Sequence, residues 1–210
     1  MPAGRTLGCS FSSPPEPQRL GPMFAAADVH YPPSGGARAA LVASSDAAFS
    51  SITYQKTVFV AEVAAYQPGS FYKRELPPLR AVLAGLDIGV LVIDGYVDLD
   101  PAGRPGLGAH VHEEFGIPVI GVAKTRFASA THAVPVLRGT AARPLYVTAA
   151  GLPAADAAEL IRVMAGKFRL PGALRRVDAL ARGRRSTNPV STAAEGPKAL
   201  CTSCVQMLTS

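Results

Sequence analysis

The middle of the chain reads Val90-Leu91-Val92-Ile93-Asp94-Gly95, an unbroken apolar run that ends in an acid and a glycine. A run without a polar face predicts a strand that is buried on both sides of a sheet. A carboxylate at the end of such a strand is costly to desolvate unless it is paired or binds a cation. The stretch therefore indicates a sheet covered on both faces, with a charged group at one edge.

Apolar segments before and after this strand predict the remaining elements. The three strands that precede it are joined by short turns, which favours an antiparallel meander. Pro77 and Pro78 restrict where the next helix can begin, so that helix is expected from about Leu76. The predicted strands are residues 23–31, 37–44, 57–63, 90–94, 118–123 and 144–148, and the predicted helices are residues 76–86, 106–115, 154–165 and 172–182. This order predicts an α/β fold, a mixed sheet in which the antiparallel meander is followed by parallel strands, flanked by helices.

The length of 210 residues suits one full-sized domain. Residues 1–22 are rich in Pro and Ser, and we expect them to form a disordered leader. Residues 184–210 lose the apolar periodicity and are expected to form a disordered tail. A single domain is thus predicted for residues 23–183, and a monomer is the default expectation.

Charge is unevenly distributed along the chain. The net charge is +6, and hydrophobic residues make up 48% of the sequence, as is typical of a globular protein. From Arg162 onward there are nine Lys and Arg residues against two acids. A polyanion such as nucleic acid would be attracted to that end, although a basic solubilising tail is the alternative explanation.

Cysteines and apolar runs bear on the compartment. Cys9, Cys201 and Cys204 all lie in the terminal segments, which argues against a disulfide framework. Cys201 and Cys204 have the C-x-x-C spacing, but no second pair of zinc ligands lies near them. No run approaches the ~18 apolar residues of a membrane span. A cytoplasmic protein that does not contact membranes is the default expectation.

Three acids lie at or near the ends of apolar elements: Asp28, Glu75 and Asp94. Hard divalent ions such as Mg²⁺ prefer oxygen ligands and bridge to substrate phosphates, so converging carboxylates predict a metal site. Each acid alone has an ordinary explanation, because Asp28 could start a turn, Asp94 could cap a loop, and Glu75 could pair with a neighbouring base. Composition does not decide between these readings.

Four motifs in order make the pattern more specific. Residues 66–77 read Tyr-Gln-Pro-Gly-Ser-Phe-Tyr-Lys-Arg-Glu-Leu-Pro, and they are followed by Val-Ile-Asp-Gly at 92–95, Gly-Leu-Gly-Ala-His at 106–110 and Ile-Pro-Val-Ile-Gly-Val-Ala-Lys at 117–124. In this order and spacing they resemble the endonuclease V family over residues 25–183. The resemblance implies a ribonuclease H-like fold. It also implies Mg²⁺-dependent cleavage, with Mn²⁺ as a possible substitute, of a phosphodiester near inosine or deoxyinosine in DNA or RNA.

The resemblance also assigns roles to individual positions. Asp28, Glu75 and Asp94 match the metal ligands, and Lys124 matches an active-site lysine that would hold the scissile phosphate. The segment with Tyr66, Pro68 and Gly69 matches the wedge that enters the duplex where the altered base is lifted out. The positions that match the pocket for the lifted base are Gly95, Gly106, Leu107 and Gly108.

Several positions depart from the family pattern. Gly151 stands where a histidine near the metal site is expected, and Asp100 and Tyr96 replace other residues. Loss of that histidine could lower activity or leave a protein that binds without cutting, and Asp100 could compensate with an extra carboxylate. The alternatives to a nuclease are therefore a non-catalytic binder of deaminated or distorted nucleic acid and, with less support, a hydrolase of small phosphorylated substrates.

Overall fold

The computed structural model describes residues 22–65, 67 and 70–184. The predictions made for residues 1–21 and 185–210, for the three cysteines, and for Tyr66, Pro68 and Gly69 lie outside the described residues. Among the helices of the described part, the longest has 12 residues, and none is long and apolar enough to cross a membrane.

The described chain forms seven strands and four helices. The strands are β1 (Met23–His30), β2 (Ala37–Ser44), β3 (Tyr54–Val60), β4 (Ile88–Asp94), β5 (Val119–Ala123), β6 (Val134–Val136) and β7 (Leu145–Ala150). The helices are α1 (Tyr72–Leu83), α2 (Leu107–Phe115), α3 (Ala154–Val163) and α4 (Gly172–Ala181). The predicted mixed α/β architecture is confirmed.

All seven strands belong to one sheet in the order β3-β2-β1-β4-β5-β7-β6. The first three strands form the predicted antiparallel meander, and β4 and β5 extend it in parallel to β1. The parallel series then stops, because β7 runs antiparallel to β5 and β6 runs antiparallel to β7. The carboxyl ends of β1, β4 and β5 therefore meet at one edge of the sheet.

Alternate residues of the central strands build two separate cores. Ala26 and Val92 face the side covered by α3 and α4, whereas Ala27 and Ile93 face the side covered by α1 and α2. Both cores consist mainly of Ala, Val, Leu and Ile, as a chain without Trp requires. This two-sided burial explains why the strand at 88–94 is apolar throughout.

Helix α1 begins four residues earlier than predicted and continues through Pro77 and Pro78. Each proline removes one N–H from the helical ladder, so the carbonyl four residues before Pro78, that of Arg74, lacks its usual partner. The Tyr31 hydroxyl donates a hydrogen bond to that carbonyl at 3.0 Å. The prolines thus cost the helix less than their sequence positions suggested.

Two strand predictions were wrong in detail. Strand β3 spans Tyr54–Val60 instead of 57–63, because its mostly polar first half pairs with β2 in a continuous register that apolar patterning does not reveal. Strand β6 was missed, because three residues around Pro135 give no periodic signal. Both strands lie at the outer edges of the sheet.

Arg138 fixes the turn between α3 and α4. Its side chain is 6% exposed and donates to the backbone carbonyls of five residues: Arg162, Met164, Gly166, Phe168 and Arg169. From the same turn, Arg169 donates to the carbonyls of Lys124 and Pro144. The turn that leads into α4 is thereby tied to the end of β5.

Candidate active site

Three predicted site residues extend from neighbouring strands on the same face of the sheet. Asp28 and Asp94 follow the paired residues Ala27 and Ile93, and Lys124 follows β5. All three continue the series of residues that faces α3 and α4, because side chains two apart along a strand point to the same side. The sheet therefore brings the two acids and the lysine together at its carboxyl edge.

The Lys124 ammonium forms an ion pair with Asp94. Both side chains are partly open to solvent, at 44% and 42% of their surface. Asp28 lies beside this pair and forms no ion pair with any described residue. The Lys124 ammonium thus lies beside two carboxylates, those of Asp94 and Asp28, and is ion-paired with the first.

Glu75 reaches the same edge from α1, which packs on the opposite face of the sheet. Its side chain is buried, and burial raises the pKa of its carboxyl to about 7. The charges of Asp28 and Asp94 add to that rise, whereas the neighbouring Tyr31 hydroxyl and the charge of Arg74 oppose it. Tyr31, three residues after Asp28, thus lies next to Glu75, donates its hydroxyl proton to the Arg74 carbonyl, and was not predicted as a site residue.

Asp178 of α4 is a fourth acid at the site, and the sequence analysis missed it. It lines a narrow cleft with Asp28, Asp94 and Lys124, and it is also ion-paired with Arg182 at 2.9 Å. A signal for it was present, because it lies on the apolar side of α4 between the buried Val177 and Ala181. An acid at a core-facing position of a helix indicates a candidate site residue, as does an acid at the end of a buried strand.

The surroundings of Asp28 disfavour its charged form. Burial, followed by the charges of Asp94 and Asp178, raises the pKa of Asp28 to about 6, and Lys124 only partly opposes this shift. The raised pKa values of Asp28 and Glu75 indicate that the positive charge around them is too small to stabilise both carboxylates in the ionised form. A divalent cation supplies that charge, so the donor set of carboxylate oxygens fits Mg²⁺ or Mn²⁺.

The acids are gathered but are not arranged as a finished ligand set. Across the described ranges, no group of three or more His, Cys, Asp or Glu side chains is placed to hold a metal ion as it stands. Like charges repel, and Asp94 is turned toward Lys124. The metal-ligand roles of Asp28, Glu75 and Asp94 stay a prediction.

A cavity of about 210 Å³ opens beside Asp94. Three aromatic residues, Phe71, Tyr72 and Tyr96, contribute to its wall, and the Tyr72 ring is stacked on His110 with 3.6 Å between centroids. The other lining residues are Asp94, Gly95, Leu99, Pro105, Gly106 and Leu107. Three of the four residues predicted to form a base pocket therefore lie in one wall, and their role in binding stays a prediction.

The fourth, Gly108, is not among the lining residues. A Cβ at Gly108 would lie 2.7 Å from Val97 Cγ2, so this glycine allows α2 to pack closely. The N–H groups of Gly106 and Gly108 donate to the carbonyls of Val97 and Tyr96 at 2.7 and 3.1 Å. These two N–H groups are consequently not free donors for a ligand.

Tyr96 connects the cavity to the segment after Lys124. Its hydroxyl donates to the carbonyl of Thr125 at 2.8 Å and accepts a bond from the N–H of Phe127 at 3.0 Å. The replacement noted at position 96 thus has a structural role, because it holds the segment on which Lys124 lies.

The interpretation of Gly151 was wrong. Strand β7 runs antiparallel to β5, so Ala150 pairs with Val119, while Asp94 pairs with Val122 near the other end of β5. Gly151 lies roughly 13 Å along the strand from the acids and packs on His112 and Pro118. A histidine at this position would not approach these acids, so the geometry does not link its absence to the acid cluster.

The proposed compensation by Asp100 finds no support. Its carboxylate accepts bonds from the N–H groups of Ala102 and Arg104 and is ion-paired with Arg104 at 3.2 Å. Asp100 therefore organises its own loop. The fourth acid at the site is Asp178.

Comparison with known proteins shows which family this chain resembles. The family model for Endonuclease V matches residues 12–194. The curated endonuclease V of Streptomyces avermitilis is 32% identical over 139 residues, which cover 56% of this chain and 60% of that protein. The chain thus spans less than two thirds of the length of this curated relative.

Solved structures agree with the sequence comparison. The crystal structure of the Streptomyces avermitilis endonuclease V has a TM-score of 0.66 at 29% identity and covers 80% of this chain and 83% of that one. A Ciona intestinalis endonuclease V, solved with a DNA containing an inosine, has a TM-score of 0.64 at 20% identity, with coverage of 77% and 84%. The fold is therefore a ribonuclease H-like α/β fold. The chain belongs to the endonuclease V family.

Proposed function

We propose that this protein is a nuclease that hydrolyses a phosphodiester bond near inosine or deoxyinosine, and that it depends on Mg²⁺ or Mn²⁺. The observation that carries the proposal is the cluster of Asp28, Glu75, Asp94 and Asp178 next to an aromatic cavity. An acid cluster alone would suit many hydrolases. A cavity with ring-bearing walls directly beside the acids adds a place for a base.

The carboxylates would hold the metal ions. Asp28 and Asp94 extend from adjacent strands and Asp178 faces them from α4, while Glu75 closes the site from α1. When bound, such ions generate a hydroxide nucleophile and neutralise charge on the phosphate oxygens. The raised pKa values of Asp28 and Glu75 mean that these groups would release protons when they bind a cation.

Lys124 would hold the scissile phosphate. Its ammonium is half-exposed at the rim of the acid cluster and can contact a ligand from solvent without leaving Asp94. The bonds from Arg169 to the Lys124 carbonyl and from Tyr96 to the Thr125 carbonyl restrict the backbone on both sides of the ammonium. A positioned charge is more effective than a mobile one, because its ordering cost precedes binding.

The cavity would receive the lifted base. Its volume of about 210 Å³ is below the 300–1,000 Å³ of pockets for drug-sized ligands, which suits one planar ring system. Tyr72 and Tyr96 line the cavity and would stack on such a base, Tyr72 with the ring face that His110 does not cover. The predicted wedge at Tyr66 and Pro68 would occupy the space that the base leaves. In keeping with this, the Ciona intestinalis relative was solved with inosine-containing DNA.

The non-catalytic binder is now the weaker alternative. Its support was the missing histidine, and position 151 lies at the far end of the sheet from the acids. A hydrolase of small phosphorylated substrates that carry no ring would leave the aromatic cavity without a role. Both alternatives remain outcomes of the test.

The test compares matched oligonucleotides that carry inosine or guanosine at one position, in DNA and in RNA, with Mg²⁺, Mn²⁺ or EDTA. The expected result is a metal-dependent nick near inosine that leaves a 5′-phosphate and a 3′-hydroxyl. Binding without cleavage in either metal by folded protein would establish the binder instead. Turnover of phosphomonoesters alone would establish the third alternative.

A further inference from the structure

An exposed aromatic ring lies just outside the site, in the segment that follows Lys124. Phe127 exposes 42% of its surface. Single exposed apolar residues are common on proteins and mean little by themselves. What distinguishes Phe127 is how firmly its position is fixed relative to the cavity.

Two hydrogen bonds tie this segment to the cavity wall. The Phe127 N–H donates to the Tyr96 hydroxyl at 3.0 Å, and the Ser129 hydroxyl donates to the Leu99 carbonyl at 2.6 Å. Tyr96 and Leu99 both line the cavity. The Phe127 ring is 6.1 Å from the Tyr96 ring at an angle of 47°, so two aromatic rings follow one another from the cavity toward solvent.

A guanidinium lies near the ring without covering it. The Arg104 guanidinium lies 6.0 Å from the centroid of the Phe127 ring, at the outer limit of a cation–π contact. It is held there by Asp100 and by Ser129, each at 3.2 Å. By contrast, the guanidinium of Arg175 lies 4.2 Å above the exposed ring of Phe168 and already covers it.

Arg126 completes the group. Its side chain is exposed, and it lies between the active-site lysine and the aromatic ring in the chain. The group of Arg104, Arg126 and Phe127 therefore combines an exposed ring with two guanidinium groups, of which that of Arg104 is ion-paired with Asp100. Single-stranded nucleic acid is bound by this combination, with bases stacked on rings and phosphates held by cations.

We propose that Phe127, with Arg104 and Arg126, is a stacking site for an unpaired base of the nucleic-acid strand, outside the cavity and next to the lifted nucleotide. This inference rests on the proposed function, because it takes the same strand as ligand. A base stacked on Phe127 would hold the strand in register while Lys124 contacts the phosphate. The site thus favours strands that are locally unpaired beyond the altered base.

The test measures affinity for a fluorescent single-stranded oligonucleotide containing inosine, in EDTA so that cleavage does not interfere. Phe127→Ala is expected to weaken binding about tenfold, or about 1.4 kcal/mol, because the base loses the ring on which it stacks. Phe127→Trp is expected to retain affinity, whereas Phe127→Leu keeps apolar bulk but should bind like the alanine variant. Phe59→Ala is the matched control, because Phe59 is 54% exposed on the outer strand β3.

A second readout locates the base. With 2-aminopurine placed in turn at each nucleotide flanking inosine, wild-type protein should quench one position, and Phe127→Ala should restore its fluorescence. Arg126→Ala should lower the slope of log affinity against log salt by about 0.7, and Phe127→Ala should leave that slope unchanged.

Failure of this inference can be told apart from failure of the proposed function. If wild type nicks the inosine strand but neither affinity nor quenching depends on Phe127, the stacking site is refuted and the nuclease stands. If stacking is found but folded wild type never nicks, the nuclease is refuted and the stacking site stands.

Discussion

The Lys124 ammonium is paired with the Asp94 carboxylate across the two neighbouring parallel strands β4 and β5. Asp28 on β1 and Asp178 on α4 lie beside this pair, and the buried Glu75 faces them from α1. The site therefore holds more negative than positive charge at the edge of an apolar sheet. Such an arrangement is stable only if protons or metal ions reduce the charge.

Asp94→Asn should abolish metal-dependent cleavage and preserve binding. The change keeps the shape of the side chain but removes the charge that holds the cation, so we expect kcat to fall at least about a hundredfold. The measurement is single-turnover cleavage together with oligonucleotide affinity in EDTA. Asp87→Asn is the matched control, because Asp87 is an exposed acid just before the opposite end of β4. Undiminished cleavage by Asp94→Asn would remove this acid from the metal site.

Asp178→Asn should raise the metal concentration needed for activity. If Asp178 is a ligand or orients one, metal affinity should fall roughly tenfold to a hundredfold. Calorimetric titration with Mn²⁺ and the Mg²⁺ dependence of kcat are the measurements. Asp156→Asn, an exposed acid on α3, should behave as wild type. Arg182→Ala separates the metal role from the ion pair, since loss of a partly exposed pair costs only about 0–1 kcal/mol.

Stability of the metal-free protein should fall as pH rises from about 4 to 7. The pKa values of Asp28 and Glu75 are raised to about 6 and about 7 from ordinary values of 3.8 and 4.5, so the native state binds more protons than the unfolded chain in this window. The loss should be on the order of a few kcal/mol. Urea unfolding in EDTA at several pH values measures it.

Glu75→Gln should reduce that pH dependence, because it removes one of the two buried groups whose pKa is raised. Glu62→Gln, at an exposed position, should leave it unchanged. Added Mn²⁺ should stabilise wild type most above pH 7, where both carboxylates are ionised in the metal-free protein. A stability that rises with pH in EDTA through the same window would contradict the charge excess described above.

Tyr96→Phe should lower kcat more than it changes KM. The variant loses the bonds to the Thr125 carbonyl and from the Phe127 N–H, each worth about 0.5–1.5 kcal/mol, so the segment carrying Lys124 becomes less ordered. We expect about a tenfold fall in kcat and a fall in unfolding free energy of about 1–2 kcal/mol. Tyr54→Phe, on β3, controls for loss of a tyrosine hydroxyl. A change in KM alone would assign Tyr96 to substrate contact.

The fold followed from local patterning to a large extent. The apolar run of β4 predicted a sheet that is covered on both faces, and the order of strands and helices predicted the mixed α/β architecture. The predictions of element bounds were wrong where contacts between distant parts of the chain, and not the local sequence pattern, determine the structure. Helix α1 continues through its two prolines partly because Tyr31, distant in sequence, bonds the Arg74 carbonyl that Pro78 leaves without its helical partner.

The candidate site was only partly visible in the chain. Four site residues could be recognised in the sequence, because their polar groups interrupt or end apolar elements and match positions of the family: Asp28, Glu75, Asp94 and Lys124. Asp178 lacked such a motif, and its proximity to Asp28 depends on the packing of α4 across the sheet. The position of Gly151 depended on the direction of β7, which no local pattern specifies.

By itself the sequence determined which segments are buried, which acids lie at their ends and the family to which their spacing is similar, because these depend on neighbours within a few residues. Only the tertiary structure decided that Asp178 joins the cluster, that Gly151 does not, and that Tyr96 holds the segment after Lys124. Those relationships join residues from about 30 to 150 positions apart, and strand pairing and helix packing alone bring such residues into contact.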